Sequence, residues 1–230
     1  MEKLLKDYSD LEKGAYLGAI SSIATADRAA SDEEMEYIMA LAESADLSDE
    51  QKNAVSRAAT ELTGQELKKC LDILKTSDLK FSLVTDLISF AEADKKYSDE
   101  EKGNIEKIAQ YLGIDQQQFN LLDQFVKKTA EVKPGVEEVT QPSFLSKLGL
   151  DEKLKKSGIN INSLTKGLLS VAGPMILANL ISGRRNRGMG TSSNPFGMSS
   201  GGGLGSIISM LSGGRGFSKT GNMFNRVFGL

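Results

Sequence analysis

Two stretches of this 230-residue chain repeat one another at a fixed offset of 67 positions. Ala24, Ala26, Asp27, Ser31, Asp32, Glu33, Glu34 and Ile38 recur as Ala91, Ala93, Asp94, Ser98, Asp99, Glu100, Glu101 and Ile105, without a gap. The match continues through Leu41 and Ile108, Ala42 and Ala109, and Leu47 and Ile114. Each copy reads as a helix, a four-residue connection over 28–31 or 95–98, and a second helix. A duplicated helical hairpin can pack on its twin about a pseudo-two-fold axis. That limits the fold to an all-α class, one compact bundle of seven to eight helices.

The hydrophobic period agrees. Val84, Leu87, Ile88 and Ala91 fall at i, i+3, i+4 and i+7, as do Ile105, Ile108, Ala109 and Leu112. Phe119, Leu122, Phe125 and Val126 form a similar stripe. Each gives a helix one apolar face, and the period-2 alternation of strands is missing. Ser31-Asp32-Glu33-Glu34 and Ser98-Asp99-Glu100-Glu101 fit the capping box, and Ser9 to Glu12 and Ser48 to Gln51 carry the same signal. Helices are predicted near 2–7, 10–26, 32–44, 49–60, 64–75, 79–93, 99–112 and 116–130.

The chemistry open to such a chain is narrow. It has no His and one Cys, so a His base, a catalytic triad, a zinc ligand set and an internal disulfide are excluded. No phosphate-binding glycine loop or nucleophile elbow occurs. No catalytic residue, enzymatic activity or small-molecule substrate is expected. Cys70 follows Lys68-Lys69, which would lower the pKa of an exposed thiol, but its stripe with Leu67, Leu71 and Leu74 points to a buried structural residue. A metal would have to be hard and oxygen-bound.

The pattern Ala-x-Ala-Asp-x-x-x-Ser-Asp-Glu-Glu, a few residues before an Ile/Leu stripe, resembles the TerB-like domain of tellurite-resistance proteins. It also resembles the N-terminal domain of some membrane-anchored DnaJ-type co-chaperones. The likeness covers about residues 10–130 and both repeats. It implies an all-helical module without known catalysis, linked to stress responses at the inner membrane, and divalent-metal binding through acidic residues. The family often has Gly directly after the Asp, whereas Arg28 and Lys95 stand here, a cation beside each candidate ligand.

Asp27 and Asp94 close predicted helices, where the dipole disfavours a carboxylate by up to about 1 kcal/mol. A compensating contact is therefore expected at both. One reading has each carboxylate accept N–H groups of the connection and lock the hairpin. The other has Asp27, Asp94, Asp32, Glu33, Asp99 and Glu100 ligate Ca²⁺, Mg²⁺ or Mn²⁺. The turn-locking reading is the one adopted, since capping is the commoner use of Asp there. The spacing is not that of an EF-hand loop.

Charge divides the chain. Residues 1–143 hold 17 basic and 29 acidic side chains, a net of −12, and residues 144–230 hold 11 and 2, a net of +9. Of the 23 glycines, 17 lie in the second part. The expected organisation is a helical domain over 1–130, a linker over 131–146 marked by Pro134, Gly135 and Pro142, and a flexible basic tail over 147–230 with short apolar helices. Within the tail, 164–182 is the most apolar stretch, and it stops at Arg184, Arg185 and Arg187. It is short for a spanning helix and contains Pro174 and Asn179. Ile176, Leu177, Leu180 and Ile181 beside that arginine cluster suit interfacial contact with an anionic membrane or with a protein partner. Docking on the acidic domain and self-association are the competing uses. Gly213-Gly214-Arg215-Gly216-Phe217 opens a nucleic-acid alternative, though real RGG regions repeat the motif. The start, Met1 to Asp7, turns charged before any apolar run, so no secretory leader is expected. A cytoplasmic protein, peripheral to the inner membrane, is the expected setting.

Overall fold

The computed structural model describes residues 5–25, 30, 32–61, 64–93, 99–132 and 142–168. Ten helices and no strand occur among them. The first seven are α1 (Asp10–Ala24), α2 (Asp32–Ser44), α3 (Asp49–Thr60), α4 (Gln65–Leu74), α5 (Leu79–Ala93), α6 (Asp99–Tyr111) and α7 (Gln116–Val132). Three short ones follow: α8 (Pro142–Leu148), α9 (Asp151–Lys156) and α10 (Ile161–Gly167).

The helix starts follow from the capping residues. The Ser9 hydroxyl accepts the Glu12 N–H at 3.3 Å, and the Glu12 carboxylate accepts the Ser9 N–H at 3.0 Å, which completes a capping box. Hydrogen bonds from Ser77 and Ser9 hold the Glu12 carboxyl below its usual range. Ser48 caps α3 by accepting the Gln51 N–H at 3.3 Å. Asp10 accepts both the Ser48 N–H (3.2 Å) and its hydroxyl (2.6 Å), so the start of α1 also holds the start of α3. Buried Lys13 donates to the carbonyls of Ala45 (2.7 Å) and Asp46 (3.3 Å), a cation at the negative end of α2. The Ser31 and Ser98 caps lie outside the described residues.

The repeat is visible in the backbone. The Leu47 N–H donates to the Ala42 carbonyl at 3.1 Å, and 67 positions later the Ile114 N–H donates to the Ala109 carbonyl at 2.9 Å. Between each pair stands a left-handed residue, Asp46 at φ 55° and Gly113 at φ 75°. Both corners are therefore Schellman turns, one closed by an Asp that tolerates this region and one by a Gly.

Each half is built around one buried helix. In the first half α1, buried from Lys13 to Ile23, packs on α2, α3 and α4. Gly18 admits α4 closely, since a Cβ there would lie 2.9 Å from the Cys70 sulfur. In the second half α5 packs on α6, α7 and α10, and α1 and α5 touch each other. Tyr16, Tyr37, Phe119, Phe125 and Phe144 are the largest fully buried side chains in the shared core.

The body extends past the expected boundary. Residues 142–168 contribute to the core: Phe144, Leu145, Leu148, Leu150, Leu154, Ile159, Leu164 and Leu168 are all buried. Lys147, Lys153, Lys155 and Lys156 occupy the exposed faces between them. Pro142 opens α8, where its missing N–H removes no hydrogen bond, so it starts a helix instead of breaking one. At the other end, the described part of the helix predicted over 2–7 is a turn, with Leu5 at φ 56° and the Tyr8 N–H donating to its carbonyl at 3.1 Å.

Candidate functional site

The six acidic candidates are only partly within the described residues. Asp32 and Asp99 begin α2 and α6, and both are exposed. Asp27, Asp94 and the side chains of Glu33 and Glu100 lie outside the described residues. Among the described residues, no three or more Cys, Asp or Glu side chains converge as a metal site. Arg184, Arg185, Arg187, Ile176, Leu177, Leu180 and Ile181 lie outside them as well. Among the described residues no helix is long and apolar enough to cross a membrane.

The structure instead draws attention to the place where the described chain ends. There, α10 packs on α5 and is reached from α1 by Tyr16. The Tyr8 hydroxyl donates to the Ser163 carbonyl at 3.3 Å, and the Tyr16 hydroxyl contacts the Gly167 carbonyl at 2.8 Å. The Ser82 hydroxyl reaches the carbonyls of Ser163 (3.3 Å) and Leu164 (3.2 Å). Asp78 accepts the Ser163 hydroxyl at 3.2 Å. Tyr16 also hydrogen-bonds the Asp86 carboxylate, which has no exposed surface. Gly167 is required by proximity: a Cβ there would lie 2.8 Å from the Ser82 Cβ and 3.0 Å from Leu79 Cδ2.

A second phenol lies near this centre. Tyr37 is fully buried, and its hydroxyl has no hydrogen-bond partner among the described residues. Burial, and secondarily the Asp86 charge, push its pKa up. Sequence patterns did not single out this centre, because Tyr16 sits among small residues and Asp86 sits in an apolar helix. A signal was present: Asp86 interrupts Leu83-Val84-Thr85 and Leu87-Ile88, where an acid needs a buried partner.

Cys70 is half-buried rather than fully buried. Burial, with Glu66 nearby, pushes its thiol up to about 12, which leaves it a poor nucleophile. On the outer surface Asp72 links α4 to α6 by accepting the Tyr111 hydroxyl at 2.6 Å, and the Lys75 ammonium stands 3.6 Å from the Tyr111 ring centroid.

The duplicated hairpins, the acidic helix starts and the all-helical core meet in one comparison. Residues 14–124 match the family model of tellurite resistance protein TerB. The helical body carries a TerB-like domain. The match begins inside α1 and ends inside α7, so it spans both copies of the repeat and stops before α8. No curated protein and no solved structure matches the chain significantly.

Proposed function

We propose that this chain is a non-enzymatic TerB-like stress-response scaffold, whose acidic helical body is tethered through its basic C-terminal end to an anionic membrane surface. The observation that carries this reading is the charge division, taken at the edge of the described body. Residues 1–168 hold 22 basic and 31 acidic side chains, a net of −9, and residues 169–230 hold six basic and no acidic ones. A cationic segment with an adjoining apolar run is drawn to an anionic leaflet, while the acidic body is repelled by it. The body then stands off the surface and presents its acidic helix starts to a partner or a cation. The missing histidines and the unreactive thiol support a binding role over catalysis.

The test is co-sedimentation of the full chain with vesicles of phosphatidylglycerol and phosphatidylcholine, against phosphatidylcholine alone. Binding should need the anionic lipid and weaken with salt. Replacing Arg184, Arg185 and Arg187 by Gln should weaken it roughly a hundredfold, at about 1 kcal/mol for each charge near the surface. Equal binding to neutral vesicles, or none, would discard the tether. A salt-sensitive shift of a generic oligonucleotide, with no vesicle binding, would put the nucleic-acid reading in its place.

A further inference from the structure

The three short helices beyond the TerB match border a cleft of their own. Two Schellman turns set them around it. After α8 the Leu150 N–H donates to the Leu145 carbonyl at 3.2 Å, with Gly149 at φ 65°. After α9 the Ile159 N–H donates to the Leu154 carbonyl at 3.0 Å, with Gly158 at φ 73°. The cleft has a volume of about 680 Å³, within the range of about 300–1,000 Å³ for small-molecule sites. Ser146 lines it from α8, Asp151 and Lys155 from α9, and Asn160 from the turn into α10, with Ile159 and Ile161 beside them. A Cβ at Gly158 would meet nothing within 4 Å, so this side of the cleft is open.

Two opposite charges line the cleft without closing on one another. Asp151 and Lys155 are one helical turn apart, an order and spacing that favour an ion pair. Their neighbours Glu152 and Lys156, with the same spacing, stand 3.9 Å apart. Asp151 and Lys155 do not come that close, and the Lys155 ammonium has no hydrogen bond or ion pair among the described residues. Asp151 is held from elsewhere. The Glu152 N–H keeps its carboxyl below the usual range, and the Ser146 hydroxyl, donating at 3.1 Å, adds to this. Asn160 is fixed as well. Its side chain accepts the N–H groups of Asn162 (3.1 Å) and Ser163 (3.3 Å) and donates to Asp78 at 3.4 Å. The cleft therefore offers a held carboxylate, an unpaired ammonium one turn away, and an apolar surface from Ile159 and Ile161.

We propose that this cleft binds a small zwitterion, an α-amino acid with an aliphatic side chain. The ligand's ammonium pairs with Asp151, its carboxylate with Lys155, and its side chain covers Ile159 and Ile161. A ligand with both charges on one carbon fits between residues whose Cβ atoms are about 5–6 Å apart. A ligand with one charge leaves the other residue unmatched. The TerB match ends at residue 124, so the site belongs to the extension beyond it and does not rest on the tether.

Titration of the full, isotope-labelled chain with L-leucine, followed through its amide spectrum, tests this. Half-saturation is expected on the order of 1–10 mM for so small a ligand, with shifts confined to residues 143–162. Isocaproate lacks the ammonium and isoamylamine lacks the carboxylate. Each should bind about threefold to fivefold more weakly than leucine, the size of one exposed charge pair. Lys155→Gln should weaken leucine by the same factor and leave isoamylamine unchanged, and Asp151→Asn should weaken leucine and leave isocaproate unchanged. No shift well above the expected concentration overturns the proposal, as do shifts elsewhere in the body. Equal binding of the three compounds overturns it without any variant, and so does either variant binding leucine like the wild type.

Discussion

Tyr16 and Tyr37 offer a paired experiment in which the same substitution should have opposite results. Both rings are fully buried. The Tyr16 hydroxyl hydrogen-bonds the Asp86 carboxylate and contacts the Gly167 carbonyl at 2.8 Å, so it joins α1, α5 and α10 at one atom. Tyr16→Phe keeps the ring and removes that junction. A buried hydrogen bond to a charged group contributes about 1.5–3 kcal/mol, and a carbonyl losing a donor adds about 1 kcal/mol, so the loss should be about 2.5–4 kcal/mol. For a chain of this size, each kcal/mol lowers the melting temperature by about 2–4 °C. The Tyr37 hydroxyl, by contrast, has no hydrogen-bond partner among the described residues, so its burial is uncompensated there. Tyr37→Phe should be neutral within about 0.5 kcal/mol, or stabilising. Equilibrium urea unfolding of both variants measures this, with an unchanged m-value as the check on two-state behaviour. A Tyr16→Phe protein as stable as wild type, or a larger loss from Tyr37→Phe, would refute the assignment of the buried centre.

Three further outcomes are expected. The Tyr111 hydroxyl, followed by Lys75 and Lys68, holds the Asp72 carboxyl down to about 2. Its contribution is therefore present above the unfolded value of about 3.9 and is lost as pH falls through about 2. The side chain is 45 % exposed, so Asp72→Asn should lower stability by less than about 1 kcal/mol at neutral pH, with the gap closing between about pH 4 and 2; a gap that widens on acidification contradicts the pairing. Cys70 should react with a thiol reagent at pH 8 far more slowly in the folded chain than in urea, and equal rates would show that burial does not govern it. If the acidic corners take a cation, Ca²⁺, Mg²⁺ or Mn²⁺ should raise the melting temperature, and Asp27→Asn with Asp94→Asn should abolish the rise; no rise in the wild type removes the cation from the account.

Most of the helical layout was legible because it rests on local rules. The predicted span 32–44 coincides with Asp32–Ser44, 49–60 with Asp49–Thr60 and 79–93 with Leu79–Ala93. Apolar spacing and capping serines act within a turn or two of the residues concerned, so the sequence displays them directly. The packing of 142–168 was not legible, for a related reason. Pro142 and the lysines after it resemble linker composition, but α8, α9 and α10 are too short to announce themselves by periodicity. Their inward residues, Phe144, Leu145, Leu148, Leu154 and Leu164, gain meaning only against α5 and α7, which are distant in the chain. The same holds for Tyr16 and Asp86, 70 positions apart, whose pairing is a tertiary contact with no sequence period.

The repeat also explains why the body needs residues beyond the second hairpin. In the first half α1 is covered by α2, α3 and α4, and α4 follows α3 after a short connection. In the second half α6 and α7 repeat the first two of those helices. The position beside α5 is then taken by α10, delivered from beyond α8 and α9. Without it, the Ser82 side of α5 would face water in a helix that also contains buried Leu79, Val84 and Leu87. The segment that completes the fold is therefore the one from which the cationic end departs. In the first half the covering helix lies between two other helices in the chain. In the second half it follows the two short helices α8 and α9 in the chain. Duplication thus leaves the two halves unequal at one point: the covering helix of the first half follows directly on α3, whereas that of the second arrives only after α8 and α9, so the second half closes through residues that the repeat itself does not contain.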